Sequence, residues 1–293
     1  MNTALFPRNR SEPLIEGEFA FAARNFDLIA SVLQTHSGIA LNEAKATLVY
    51  SRLAKRVRKL GLRNFDEYCE FIETQAGAGE RNEMLAALTT NVTRFYREPH
   101  HFEHLRQKVF PRLAKAAERG ARVRIWSAAC SSGEEPYSIA LTLLDVFPEA
   151  ARHDVCILAT DIDPNILAKA KTGVYRDEAT SPIPAGLRER WLSRERDGAE
   201  KTWRVRDEVR ALITFKELNL IGNWPMKGGF DVVFCRNVVI YFEEATQAFL
   251  WERFKKVLTP EGRLYIGHSE RVDVAGYVSD GLTVYKLAGE GAR

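Results

Sequence analysis

No two cysteines of this chain form a C-x-x-C pair. Its four, Cys69, Cys130, Cys156 and Cys235, are scattered, and three fall in or beside stretches that read as strands. That pattern indicates buried thiols in a reducing compartment, not disulfides or zinc ligands. Long apolar runs are missing too. The opening M-N-T-A-L-F-P-R-N-R-S-E-P has none long enough for a signal peptide. The run from Val232 to Phe242 is broken by Arg236 and Asn237 and is too short to span a bilayer. A cytoplasmic protein without membrane insertion is expected. Neither sign of charge dominates: 42 Lys and Arg against 39 Asp and Glu leave +3, too little to imply a nucleic-acid partner. Repeats and low-complexity tracts are absent. So are the spaced glycines of a dinucleotide loop and the nucleophile elbow of a serine hydrolase.

What is present starts at Val123–Ser138, V-R-I-W-S-A-A-C-S-S-G-E-E-P-Y-S. Val123 to Trp126 read as a short buried strand. Ser127 to Gly133 are small, which lets a ligand approach the backbone. Pro136 then suits a first helical turn, and Ile139, Leu143 and Val146 continue at helical spacing. Strand, small-residue loop and helix open a nucleotide-type α/β site. Glu134 and Glu135 at the helix start would repel phosphate and suit a cationic ligand. S-adenosylmethionine carries a sulfonium and an ammonium and no phosphate. The plainer alternative is that both acids only complement the helix dipole.

The next apolar stretch, Val155 to Thr160, ends at Asp161 in D-I-D-P. An acid at that strand end is placed to take hydrogen bonds from ribose hydroxyls. Asp163, directly before Pro164, fits a helix cap better, which leaves Asp161 for the ribose. Ligands of open α/β sheets bind beyond the carboxyl ends of the strands. That rule picks out Gly133, Glu135, Asp161, Asn219, Arg236, Asn237 and His268, with ordinary packing the stronger alternative for His268.

In the order L-T-T-N-V-T-R-F-Y-R-E, A-A-C-S-S-G-E-E-P-Y-S-I-A, A-T-D-I-D, F-C-R-N-V-V-I-Y-F and G-H-S-E, the chain resembles the CheR family of chemotaxis receptor methyltransferases, from about residue 25 to the end. The resemblance implies S-adenosylmethionine as cofactor, S-adenosylhomocysteine as product, and glutamate side chains on chemoreceptors as substrate. It carries Asn91, Thr93 and Arg97 to the cofactor and Asn219 and Leu220 to its adenine region. Capping is the alternative for Asn91 and Thr93. Arg97 is suited to clasp a carboxylate, the cofactor's or the substrate's. Arg97 and Tyr241 are the candidates for steering the attacking glutamate, whose carboxylate is ionised near neutrality and needs no general base.

The expected architecture is α/β: a Rossmann-like S-adenosylmethionine-dependent methyltransferase domain with a small β-hairpin insertion, preceded by an all-α domain. Residues 1–17 read as a disordered tail, 18–90 as the all-α unit, 91–120 as linker and connecting helix, and 121–293 as the methyltransferase domain. Strands are predicted at 122–127, 155–160, 212–215, 230–235, 263–267 and 282–287, the last antiparallel in the family plan. In the helical unit Asn42 is a candidate cap, Asn64 with Glu67 resembles a capping box, and Val49, Leu53, Val57 and Leu60 form an apolar stripe. Lys45, Arg52, Lys55, Arg56 and Lys59 make a basic strip beside it; the family resemblance turns that strip toward the receptor's acidic helical bundle, where a solvated face is the plainer alternative. The insertion, about 174–210, has a hairpin signal at Asp197-Gly198 and alternating Trp203, Arg204, Val205 and Arg206. In some family members it docks a receptor C-terminal peptide.

His100 and His104 stand one helical turn apart, as in zinc sites, with His101 between them. No Glu or Cys accompanies them at ligand spacing, so they read as surface or packing histidines and no metal is expected. Two other functions compete with the leading one. A methyltransferase for RNA would show an N/D-P-P-Y/F motif after the fourth strand, and R-N-V-V-I-Y-F has no proline there. A non-catalytic cofactor-sensing receptor adaptor would not need Arg97, Asp161 and Tyr241 intact.

Overall fold

A computed structural model describes residues 13–197 and 200–289 of the chain. The backbone divides into two compact units, before and after the Thr90–Asn91 bond.

The first unit begins with a two-stranded antiparallel ribbon, Pro13–Ile15 (β1) and Phe21–Ala22 (β2). The expected tail is therefore ordered from Pro13 onward, while residues 1–12 lie outside the described residues. Four helices follow: Ala23–Ser37 (α1), Ala46–Leu60 (α2), Phe65–Glu73 (α3) and Ala78–Leu88 (α4). Helix α2 stops where Gly61 takes φ 69°, a left-handed turn without Cβ strain. Asn42 does not cap α2, because a 3₁₀ turn, Glu43–Lys45, intervenes. Asn64 does cap α3, accepting the Glu67 N–H at 2.9 Å, while the Glu67 carboxylate reaches back to the Arg63 N–H at 2.8 Å. Val49, Leu53 and Val57 are fully buried; Leu60, in the last turn, is 37 % exposed.

The basic strip of α2 is only half free. Arg52 donates to the carbonyls of Ala87, Leu88 and Thr89, the open end of α4. Arg56 grips both oxygens of buried Glu80 and one of Glu83, and Tyr68 donates to the same Glu80 at 2.9 Å. Lys45, Lys55 and Lys59 are exposed. Helical spacing places Lys45, Arg52, Lys55 and Lys59 on one side and Arg56 at the seam; the interior claims Arg52 and Arg56 because α4's carbonyls and Glu80 need partners.

The second unit opens with Pro99–His104 (α5), which runs through a π turn, Leu105–Val109, into Phe110–Glu118 (α6). Then come Val123–Ala128 (β3), Glu134–Val146 (α7), Val155–Asp161 (β4) and Pro164–Thr172 (α8). The insertion follows: Val174–Arg176 (β5), Asp177–Thr180 (α9), Ala185–Trp191 (α10), Leu192–Asp197 (β6) and Glu200–Val205 (β7). After Asp207–Arg210 (α11) the main sheet resumes with Ile213–Glu217 (β8), Phe230–Cys235 (β9), Glu244–Val257 (α12), Leu258–Ile266 (β10), Tyr277–Gly281 (β11) and Val284–Leu287 (β12).

The main sheet has seven strands in the order β11-β12-β10-β9-β3-β4-β8. β10, β9, β3, β4 and β8 pair in parallel, and β12 runs antiparallel between β10 and β11. All six predicted strands are present. The seventh, β11, is a short edge strand whose Tyr-Val-Ser-Asp-Gly gives little signal. The strand order reverses at β3, with β4 on one side and β9 on the other, so the crevice falls at the carboxyl ends of β3, β4 and β9. β3 is central enough that Trp126 is wholly buried, its indole donating to Thr160 at 2.9 Å. The insertion is a separate three-stranded antiparallel sheet, β5-β7-β6, not a bare hairpin. Trp203 and Val205 face its core, as their alternation predicts, and the Gly198 turn lies outside the described residues.

Candidate active site

The loop between β3 and α7 is built from strained backbone. Ala129 and Ser131 take φ of 67° and 50°, in the left-handed region that side chains avoid. Gly133 follows at 97°, and a Cβ there would stand 2.8 Å from the Tyr175 hydroxyl. Tyr96, Glu98 and Asn237, on two other loops of this unit, are also left-handed. Strain of about 1–3 kcal/mol per residue persists only where surroundings hold it, and it collects at functional sites.

Two clusters grow from this loop. In the first, the Ser131 N–H donates to Asp161 Oδ2 at 2.8 Å and the Asp163 N–H to Oδ1 at 3.1 Å. Burial pushes the Asp161 carboxyl up, opposed by those two amides. Each oxygen keeps a lone pair for a further donor. Asp163 caps α8 through the amides of Asn165 and Ile166, as expected, and accepts from the Asn91 side chain at 3.1 Å. Ser131 donates back to the Asn91 carbonyl, and Leu218 N–H to the Asp161 carbonyl. Asn91, Asp161 and the start of the Asn219–Leu220 turn are thus one assembly. Trp224 and Arg253 both donate to the Leu220 carbonyl, at 3.0 and 2.7 Å. Thr93 lies two residues beyond Asn91, half-buried.

The second cluster centres on Arg236, whose side chain is 2 % exposed. Nη1 pairs with Glu135 Oε2 at 3.1 Å, Nη2 with Glu98 Oε2 at 3.1 Å, and Nη2 also donates to the Arg97 carbonyl. The other Glu135 oxygen accepts from Ser127 at 2.7 Å. Burial pushes the Glu135 carboxyl up, against the pull of Arg236 and Ser127. Burial also pushes on Glu98, but the bonds from His268 and Arg236 outweigh it and hold that carboxyl down, at about 2. The strand-end rule picks out Glu135 and Arg236 separately; the structure joins them in one buried ion pair. Asn237 is half-buried at the end of β9, and Tyr241 four residues on, in the turn Val239–Tyr241. Glu270 fixes that turn, accepting from the amides of Val238 and Val239 at 2.9 and 3.0 Å and of Gly267 at 2.5 Å.

Glu98 and Glu270 escaped sequence reasoning, although both lie inside quoted motifs. The nearest signals were Pro99 directly after Glu98 and Gly267 three residues before Glu270. A glutamate does stand with the histidines: Glu98, His100 and His101 form a group whose ligand atoms lie within 4.8 Å of one another. Arg236 already supplies the positive charge there. His101 is fully buried, hydrogen-bonded to Thr283 at 2.7 Å, and burial together with Arg236 pulls its pKa down to about 3. His104 bonds the Tyr265 hydroxyl at 2.8 Å and is also largely buried. Packing holds both; neither is a surface residue. His268 is two-thirds exposed and bonds Glu98 at 2.9 Å, so it is tied to the site and does not merely pack.

The donor set fits S-adenosylmethionine. The start of α7 carries two buried carboxylates and would repel a phosphate, Asp161 offers lone pairs to hydroxyls, and Arg236 stands against two carboxylates, leaving net negative charge for a sulfonium. Parallel strands reversing at β3, with one antiparallel strand near the edge, complete the architecture of a Rossmann-like S-adenosylmethionine-dependent methyltransferase. Comparison with known proteins narrows the class. The family description "CheR methyltransferase, SAM binding domain" matches residues 91–280, and "CheR methyltransferase, all-alpha domain" matches residues 24–89. The chain belongs to the CheR methyltransferase family. It is 54 % identical to a probable chemotaxis protein methyltransferase of Rhizobium etli, over 89 % of this chain and 98 % of that one. It is 41 % identical to chemotaxis protein methyltransferase 2 of Pseudomonas aeruginosa, over 92 % and 95 %, and 38 % identical to the chemotaxis protein methyltransferase of Escherichia coli, over 92 % of each. No helix among the described residues is long and apolar enough to cross a membrane.

Proposed function

We propose that the protein is a cytoplasmic protein-glutamate O-methyltransferase, forming methyl esters on the helical bundle of chemoreceptors for sensory adaptation. What supports this reading is the family match together with the clamped turn that bears Arg97, whose carbonyl accepts from Arg236 and whose guanidinium donates to the Val92 carbonyl at 3.2 Å, next to a net-negative cluster. A substrate carboxylate would otherwise be repelled there. Asn91, Thr93, Asp161, Asn219, Leu220 and Asn237 hold the cofactor, with Glu135 and Arg236 shaping the pocket from behind. When bound, S-adenosylmethionine supplies an electrophilic methyl group: the ester O–CH3 bond forms as the S–CH3 bond breaks, sulfur keeps the electron pair, and no proton moves. Arg97 and Tyr241 orient the glutamate, and alignment in a partly dry site provides the acceleration.

Lys45, Lys55 and Lys59 form the receptor-facing charge, while Arg52 and Arg56 brace the helix that presents it. β6 is an outer strand of the insertion sheet, of the kind a receptor tail peptide adds to. Incubation with methyl-labelled S-adenosylmethionine and receptor cytoplasmic fragments should give a labelled product that alkali releases as methanol. Label that survives alkali, or no label on any receptor fragment, would remove the glutamate assignment.

A further inference from the structure

Arg97 sits between two strained residues, Tyr96 at φ 52° and Glu98 at φ 59°. A turn bent this way on both sides of one side chain relaxes unless something holds each end. On the Tyr96 side, the amide donates to the Ser138 hydroxyl of α7 at 3.0 Å. On the other side the hold is the Glu98 carboxylate. Its Oε1 accepts from the His268 ring at 2.9 Å and from the His268 amide at 3.3 Å; its Oε2 lies 3.1 Å from Arg236. Arg236 closes the ring by donating to the carbonyl of Arg97 itself. Glu98 thus joins three loops: the one bearing Arg97, the one after β9, and the one after β10. Its side chain is 11 % exposed, with Oε1 hydrogen-bonded to His268 and Oε2 ion-paired with Arg236, so it is poorly placed to touch a ligand.

We propose that Glu98 is the positioning residue of Arg97: by tying the turn to Arg236 and His268 it sets where the Arg97 guanidinium stands toward the cofactor. This rests on Arg97 reaching the cofactor. The competing role for Glu98, neutralising the buried Arg236, would act on the whole pocket and be indifferent to Arg97.

A double-mutant cycle separates the two, read by calorimetry with S-adenosylhomocysteine on the full chain. Arg97→Ala should weaken binding about tenfold, as loss of a charge-assisted contact does. Glu98→Gln should weaken it roughly fivefold with Arg97 present and less than about twofold in the Arg97→Ala background, because residues acting as a unit are not additive. Equal losses in both backgrounds overturn the proposal. Full affinity in Arg97→Ala instead shows that Arg97 does not reach the cofactor, and the underlying assignment falls with it. If Glu98→Gln does not fold, His268→Ala releases one grip on Glu98 from an exposed position and runs through the same cycle, with the same additive result overturning the idea.

Discussion

At the residue scale, the chemistry asks for position more than for proton transfer, since a glutamate near neutrality is already a nucleophile. Arg97→Ala should therefore lower kcat about a hundredfold, the cost of misplaced reactants, while the melting temperature moves by less than about 2 °C; receptor methylation assays and thermal unfolding check both. Gly267 tests the support of the opposite wall. A Cβ there would lie 2.5 Å from Asn237 Nδ2 and 2.9 Å from Glu270 Oε2. Gly267→Ala should destabilise by about 1–3 kcal/mol, as overpacking does, in a urea titration. Glu98 and Glu270 show why part of the site was invisible in the sequence. Each acts on residues far along the chain, Glu98 on Arg236 and Glu270 on Val238 and Val239. No local spacing announces such a contact. Asp161 and Asp163 were separable because a cap is a local device: the aspartate directly before Pro164 had to be the one that caps α8.

At the element scale, α2 is the clearest case of a pattern half read. Its apolar face follows from period alone. Which cations stay free depends on what α4 leaves unsatisfied, and period says nothing of that. Arg56→Ala should cost about 3–5 kcal/mol in chemical denaturation, because it strands buried Glu80. Joint reversal of Lys55 and Lys59 to glutamate should leave stability within about 0.5 kcal/mol of the parent. It should raise the KM for receptor fragments and reduce its dependence on salt, since a charge on the rim governs encounter. An unchanged KM would place receptor docking elsewhere.

At the scale of the whole molecule, the two units carry separate buried clusters, one of residues 21–88 and one of residues 95–284. Cofactor binding involves the second, so S-adenosylhomocysteine at about a hundred times its Kd should stabilise that unit by about 2.7 kcal/mol. Scanning calorimetry should show its transition moving up while the helical unit's stays in place. Acid should act on the same unit. Burial pulls His101 from near 6.5 down to about 3. Between those values the unfolded chain binds a proton that the folded one refuses, so stability falls as pH drops, by at most about 1.4 kcal/mol per unit from this group. Glu98, held at about 2, adds its own loss only below the ordinary carboxylate range, near 4.5. Urea midpoints from pH 7 to 5 should decline, and His101→Gln should flatten that slope. The class and six of the sheet's strands were legible because buried parallel strands announce themselves as apolar runs ending in chemistry-bearing residues; the order in which they pair was not. The edge strand β11, Tyr-Val-Ser-Asp-Gly, is too polar to do so, and the insertion's third strand, β5, has only three residues.

The four scattered thiols have a practical side. Cys69, Cys130 and Cys235 are shut inside, and burial raises all three pKa values, that of Cys69 to about 12. Cys156, on β4, is the partly accessible one. A maleimide dye added to the native enzyme should accordingly attach once, on that strand, giving an optical reporter for the methyl-donor domain with no cysteine removed and none introduced.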